Sequence, residues 1–288
     1  MRSVSRSRGL VLALAVAWVA PSAALAAEAG AEPEPAADEQ AAPAPAAGLC
    51  VELGFKSAYM FRGSNLFSLD EVGAQRPVVN PLVSWAIGDT GLSLTYLGAF
   101  QLSDEGRGAN RDGALDLEQD LILGYSLALP AGFSFQAAFT WLVWPFADQE
   151  VMGTGMPSVI EPLVGITWSG PLDVGLRVSY FHGVPDSLDF LRYAYVNPWL
   201  AKRLQLSPDV ALLAGLGFGI KAWVNGDTNN MCDVQVSLEV PINLPHGFYL
   251  RPGVYFSWTN LDDPEDGPAF SFRDEVSAWG GLALGVVL

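Results

Sequence analysis

The feature that most constrains this chain is a repeated alternation of apolar and polar side chains over about ten residues, ended each time by Gly, Pro, Asn or Asp. Such alternation is typical of a β-strand with one face toward an apolar medium and the other toward a polar one. The longest uncharged apolar run, 210–220, is far shorter than the about 20 residues of a membrane helix. Twelve segments have this pattern and predict strands at 50–62, 78–87, 92–102, 115–129, 133–144, 159–168, 172–182, 193–204, 210–223, 232–242, 248–258 and 275–288.

The connections between these segments alternate in length. Short turns such as GDTG (88–91) and PAG (130–132) follow the even-numbered segments, and long polar loops such as SDEGRGANRDG (103–113) follow the odd-numbered ones. An even number of strands with short turns at one end and long loops at the other is typical of an outer-membrane barrel. The sequence therefore predicts an all-β fold, a transmembrane antiparallel up-and-down β-barrel of about 12 strands, in residues 49–288.

The two faces of the predicted strands fit a wall between lipid and water. In the first segment, Leu53 and Phe55 share one face and Glu52 and Lys56 the other. A soluble barrel would turn its apolar face inward, whereas the loop pattern places that face in lipid. Aromatic residues on the apolar face form two predicted interfacial belts. One lies beside the long loops (Phe61, Phe100, Trp141, Tyr180, Tyr195 and Trp258), and the other beside the short turns (Trp85, Tyr125, Phe133, Phe135 and Trp168).

The N-terminal part of the chain predicts export. Residues 1–26 combine three arginines, a short apolar core and an Ala-Leu-Ala cleavage site, as in a secretory signal peptide. Residues 27–48 are rich in Ala, Pro and acids and predict a disordered periplasmic tail, either a plain spacer or a contact with cell-wall material. The expected location is the outer membrane of a Gram-negative-type cell, reached through the periplasm. Outer-membrane lipid and, during biogenesis, the barrel assembly machinery are the expected partners.

Charge and composition exclude several classes of function. The formal net charge is −16, and without the three signal arginines 12 basic residues remain against 31 acidic ones, a net charge of −19. This charge argues against nucleic acid as a partner. Only His182 and His246 could serve a catalytic triad, and neither has an obvious serine and carboxylate partner. Two histidines and two cysteines at unrelated spacings do not form a metal site. The sequence therefore predicts no enzyme, no cofactor and no metal.

Charged side chains on the inward face are the predicted pore-lining residues. Three of them, Asp116, Glu118 and Asp120, share one strand, and the inward positions predicted beside them include no base. Because acidic rings select cations in pores, a cation-attracting constriction fits this stripe, and so does an ordinary hydrated wall. Glu239 and Arg251 are expected to face each other across the tenth turn, and Glu275 to lie near Arg62 after closure. The predicted pore-lining set is Glu52, Lys56, Arg62, Asp116, Glu118, Asp120, Glu161, Arg177, Lys202, Lys221, Glu239 and Arg251, and Asp173, Asp233 and Glu275 are also predicted to face inward.

Three segments also resemble one another: VVNPLVSWAI (78–87), VIEPLVGITW (159–168) and YVNPWLAKRL (195–204). Each places an inward Asn or Glu before an outward proline. Because proline removes a ladder hydrogen bond, local bulges are predicted at these sites. Hairpin duplication and shared barrel constraints both explain the repeat.

The two cysteines are predicted to be free and to face the lumen. Cys50 opens the first strand at the short-turn end, and Cys232 opens the tenth at the long-loop end. The two ends are about 25 Å apart, whereas a disulfide requires Cα atoms within about 7 Å.

The segment SAYMFRG (57–63) is similar to the opening of the TorF family of porins, a Ser-x-Tyr-x-Phe-Arg-Gly motif. Ala58 replaces the aspartate of that family and Ser64 its Ile or Val; GLSLTYLGAF (91–100) extends the likeness. The resemblance implies an outer-membrane pore. The function expected is passive diffusion of small hydrophilic solutes, with a preference for cations. The alternative is a loop-plugged structural or partner-binding barrel without transport activity.

Overall fold

The computed structural model describes residues 48–58, 60–61, 64–65, 77–102, 117–145, 158–184, 192–223, 231–260 and 275–288. These residues form twelve long strands: β1 Gly48–Lys56, β2 Val78–Ala86, β3 Leu92–Gln101, β4 Leu117–Ala128, β5 Phe133–Val143, β6 Ser158–Trp168, β7 Asp173–Val184, β8 Tyr193–Ser207, β9 Val210–Trp223, β10 Met231–Glu239, β11 Phe248–Asn260 and β12 Glu275–Val287. The shorter elements are Met60–Phe61, Ser64–Asn65, Ile242–Asn243 and a 3-10 turn at Pro245–Gly247. The described part of the chain contains no helix long and apolar enough to cross a membrane.

The sheet closes on itself. Each long strand pairs antiparallel with the next along the chain, and β12 pairs with β1, so that Cys50 lies opposite Val287 and Lys56 opposite Gly281. Closure leaves no edge strand, which is the condition for a sheet in lipid, where unpaired backbone groups find no water. The predicted fold, an antiparallel up-and-down barrel of twelve long strands, is therefore confirmed for the described residues.

The wall of the barrel is apolar outside and polar inside. On β1, Leu53 is 55% exposed, whereas the adjacent Glu52 is 8% exposed. Exposed Trp85, Val254 and Val276 continue the apolar surface on other strands. A continuous apolar surface of this extent is unfavourable in water and is the lipid-facing band of outer-membrane barrels. The chain is an outer-membrane barrel by this criterion.

Both aromatic belts are present on the outer face. Trp85, Phe133 and Trp168 are exposed near the short turns, and Trp141 and Trp258 near the long loops. The prediction for Tyr195 was wrong, because this side chain is buried and its hydroxyl donates inward to Asp233 Oδ1 at 3.1 Å. The side chain of Phe61 lies outside the described residues.

The largest differences from the predicted strand ends are in three places. The first strand ends at Lys56, and Met60–Phe61 pairs instead with Ser64–Asn65 in a separate small hairpin. β8 continues to Ser207, with the ladder shifting between Gln205 and Ser207. β10 ends at Glu239, and Ile242–Asn243 forms its own short strand.

Candidate functional site

The lumen contains most of the predicted pore-lining residues. Alternation along the strands places nine of them on the inward face: Glu52, Lys56, Glu118, Asp120, Glu161, Arg177, Lys221, Glu239 and Arg251. Arg62 and Asp116 lie outside the described residues, as does the side chain of Glu275. Of the predicted acidic stripe, Glu118 and Asp120 are within the described residues, and both face the lumen. The expected contact between Glu275 and Arg62 stays a prediction.

The prediction for Lys202 was wrong. Lys202 has the same orientation as the exposed Leu204 and the opposite one to the buried Ala201. Its ammonium group donates to the carbonyl of Pro171 in the neighbouring short turn, as a lysine at a membrane rim does when it reaches for polar partners. Arg203 takes the inward position instead. The sequence could have predicted this, because Asn197 was assigned inward and Arg203 lies six residues further along the same strand. Residues an even number apart on a strand share a face.

One group of inward charges braces the seam where β1 meets β12. Arg251 Nη2 donates to both carboxylate oxygens of Glu52, at 2.8 and 2.7 Å, and Arg251 Nε lies 3.7 Å from Glu239 Oε2. The Tyr249 hydroxyl donates to Glu52 Oε2 at 2.7 Å, and the Tyr255 hydroxyl donates to Glu239 Oε1 at 3.0 Å. These five residues are called the seam network below. The predicted pair of Glu239 and Arg251 exists, although the ladder places Gly253, not Arg251, opposite Glu239.

Glycines on β12 make room for the seam network. A Cβ built on Gly285 would lie 2.3 Å from the ring of Tyr249, and one on Gly281 would lie 3.2 Å from the ring of Tyr255. The two tyrosines therefore lie over the glycine backbone, a pairing that also stabilises β-sheets elsewhere. Because nothing larger projects from these β12 positions, side chains of β1 and β11 meet across an intervening strand. Two carboxylates share one guanidinium and two tyrosine hydroxyls, so this network acts mainly as a brace.

A second set of inward charges consists of three acids on β4 and β6. Glu118, Asp120 and Glu161, called the acidic group below, are 2%, 6% and 7% exposed. The carboxylate of Asp120 is within electrostatic range of the other two. Its Oδ1 atom has no hydrogen-bond partner among the described residues. The residues opposite Asp120 in the two ladders are Leu97 and Leu142, neither of them charged. Three carboxylates thus share one wall of the lumen.

A third group on β7, β8 and β9 combines cations with aromatic rings. The guanidinium Cζ of Arg177 lies 5.2 Å from the ring centroid of Trp199, and the Lys221 ammonium lies 5.9 Å from that of Tyr193. The Tyr193 ring also stacks on Phe181 at 4.9 Å. Both cation distances are within the range of a cation–π interaction. Sequence reasoning missed these inward aromatics, although Tyr193 and Trp199 have the same strand parity as Asn197.

Burial of the inward side chains is greater toward the long loops. At that end Val78, Val159, Asp233 and Thr259 have no exposed surface. Toward the short turns, inward residues such as Gln136 are partly exposed. The acidic group belongs to the buried half, because β4 and β6 both start at the long-loop end. The three carboxylates therefore lie in the half of the lumen that contains the fully buried inward side chains.

Both described cysteines are free, as predicted. Cys50 faces the lumen, with its sulfur 3.5 Å from the Tyr249 hydroxyl. The predicted lumen orientation of Cys232 was wrong. The next residue, Asp233, is fully buried and inward, so Cys232 must point to the outer face.

The two histidines lie away from the charged groups of the lumen. His182 is on the outer face of β7, with its ring centroid 6.1 Å from that of Tyr180, and His246 lies in the turn between β10 and β11. Within the described ranges, no cluster of three or more His, Cys, Asp or Glu residues is arranged to hold a metal ion.

No family model and no curated protein matches this chain, so the resemblance to the TorF family has no independent support. Solved structures of outer-membrane channels are similar in architecture. They include the KdgM porin in complex with disordered oligogalacturonate (10% identity, 83% of this chain and 97% of that one, TM-score 0.46) and the NanC porin (10%, 83% and 98%, 0.42). An outer membrane channel from Pseudomonas putida F1 is 12% identical over 89% of this chain and 100% of that one, with a TM-score of 0.49. At such identities, the likeness concerns the fold alone.

Proposed function

We propose that this barrel is a passive channel through which small hydrophilic solutes cross the outer membrane, with a preference for cations. The observation that carries the proposal is the sorting of the wall, with apolar side chains outside and charged side chains inside along the same strands. Such sorting separates lipid from a polar interior, which is the arrangement of a diffusion pore.

The proposed cation preference comes from the acidic group. The seam network combines two carboxylates with the Arg251 guanidinium, and Lys56 is within electrostatic range of all three charges. On β7 to β9, the cations of Arg177 and Lys221 lie within cation–π range of aromatic rings. The acidic group places three carboxylates together on one wall of the lumen, in the half that contains the fully buried inward side chains. Carboxylates at a constriction attract cations and repel anions.

Planar-bilayer recording of the refolded protein tests this proposal. Discrete conductance steps are expected, and a KCl gradient should give a reversal potential of the sign that indicates cation selectivity. Protein that inserts without conducting would contradict the channel, and an anion-selective pore would contradict the cation preference. Folding of the barrel is verified separately on a denaturing gel, where the unheated, folded protein should migrate faster than the heated, unfolded protein.

A second candidate is a barrel that does not transport and binds periplasmic partners through residues 27–48. The burial of inward side chains toward the long loops favours it. Verified insertion with no conductance at any voltage would support this candidate over the channel.

We also infer the maturation route from sequence. Residues 1–26 are removed as a signal peptide, and the segment after them remains as a periplasmic spacer before the barrel, whose first strand begins at Gly48. Insertion of the barrel uses the barrel assembly machinery and outer-membrane lipid. The mass of protein purified from outer membranes tests the cleavage. A mass that includes residues 1–26 would contradict it.

A further inference from the structure

Three strands contain an outward proline that interrupts the ladder to the next strand. The prolines are Pro81 on β2, Pro162 on β6 and Pro198 on β8. In each case the pairs on either side belong to one continuous register, as with Val79 opposite Phe100 and Leu82 opposite Leu97. The predicted bulges were therefore wrong. The missing ladder bonds follow from the absence of a proline N–H.

In two of these strands an asparagine side chain supplies the missing donor. Asn80 Nδ2 donates to Gly98 O at 2.9 Å, and Asn197 Nδ2 donates to Phe218 O at 3.1 Å. The register places Gly98 opposite Pro81 and Phe218 opposite Pro198. In each strand, therefore, the asparagine amide donates to the backbone carbonyl of the residue opposite the following proline. This contact compensates for the hydrogen bond that the proline removes.

The third strand has Glu161 where the other two have asparagine. The same register places Tyr180 opposite Pro162. An ionised carboxylate only accepts hydrogen bonds, so Glu161 cannot supply the amide hydrogen that Asn80 and Asn197 supply. The carboxylate is nevertheless buried on the inward face and within electrostatic range of Asp120.

We propose that Glu161 is a residue that determines ion preference, placed where the local structure would favour asparagine. The barrel forgoes one compensating hydrogen bond at Pro162 and thereby brings a third carboxylate to the acidic group. Departures from a locally favourable choice are expected at functional positions. The role of Glu161 in ion preference rests on the proposed channel function. The loss of a compensating hydrogen bond at Pro162 rests on the ladder geometry alone.

Two substitutions separate the donor from the charge. Glu161→Asn removes the charge and adds the donor, and Glu161→Met removes the charge without a donor. We expect the folding equilibrium constant of Glu161→Asn, from urea unfolding in lipid vesicles, to exceed that of Glu161→Met by about threefold to tenfold, the net effect of one hydrogen bond. Asn80→Asp, the reciprocal change, should lower it by a similar factor. Equal stability of the two Glu161 variants would refute the proposal that Glu161 costs the barrel a hydrogen bond beside Pro162.

Ion selectivity tests the other part of the proposal. Both Glu161 variants should reduce the reversal potential of a KCl gradient to the same extent, because both remove the carboxylate. Variants that retain the parent reversal potential would refute the role in ion preference. A parent barrel that inserts without conducting would refute that role together with the proposed function, while the stability comparison would still decide whether asparagine is the better fit beside Pro162.

Discussion

Removal of the Arg251 guanidinium should destabilise the barrel more than any other single change in the seam network. Arg251 is the only cation hydrogen-bonded to Glu52 among the described contacts, and it also lies 3.7 Å from Glu239. The two carboxylate side chains are 9% and 7% exposed. In Arg251→Met, both would stay buried beside each other without the cation they are bonded to, and Lys56 would be the remaining described cation within electrostatic range.

The expected loss follows from the burial of the two acids. Removing one partner of a buried ion pair typically costs about 3–5 kcal/mol, mainly because the remaining charge stays desolvated. The hydroxyls of Tyr249 and Tyr255 still donate to the carboxylates. We therefore expect a loss of about 3 kcal/mol in the free energy of unfolding, at the lower end of that range.

Urea unfolding of the refolded barrel in lipid vesicles, followed by tryptophan fluorescence, measures this loss. Adding Glu52→Gln to Arg251→Met should recover part of it, since one uncompensated carboxylate is then gone, with a coupling energy of about 1–3 kcal/mol. Lys202→Met is the matched control, because Lys202 contacts only a backbone carbonyl at the rim and should cost less than about 1 kcal/mol. The reasoning would be refuted if Arg251→Met cost no more than the control, or if the two seam substitutions were additive.

Three further outcomes are expected. Glu118→Gln with Asp120→Asn should weaken the cation selectivity of the channel, and high salt should screen the parent selectivity in the same direction; an unchanged reversal potential would contradict this. Gly285→Ala should destabilise the barrel by about 1–3 kcal/mol, because the new methyl group would overlap the Tyr249 ring. Gly280→Ala, whose Cβ would have no neighbour nearer than 4.0 Å, is its control, and equal effects on the unfolding midpoint would refute the packing argument. Thiol labelling of the unfolded, unreduced protein should modify both cysteines, since both are free in the structure, and labelling that requires a reductant would contradict this.

The fold could be predicted from the sequence because the direction of a strand side chain is a local property. Alternation with period two determines which residues share a face, and the lengths of the connections determine which strand ends meet. The errors at Tyr195, Lys202 and Cys232 confirm this rule. Each residue was assigned to a face inconsistent with a correctly assigned neighbour: Asn197 for the first two, and Asp233 for the third.

The relations between strands were decided only by the tertiary structure. The stagger of each ladder depends on the tilt and closure of the whole barrel, so a register error of two residues leaves every local pattern unchanged. For that reason the sequence predicted an interaction of Glu239 with Arg251 but not Gly253 as the ladder partner of Glu239. It also did not predict that Glu52 of β1 would reach Arg251 of β11. That contact exists because closure brings the first strand to the last and the glycines of β12 leave space above it.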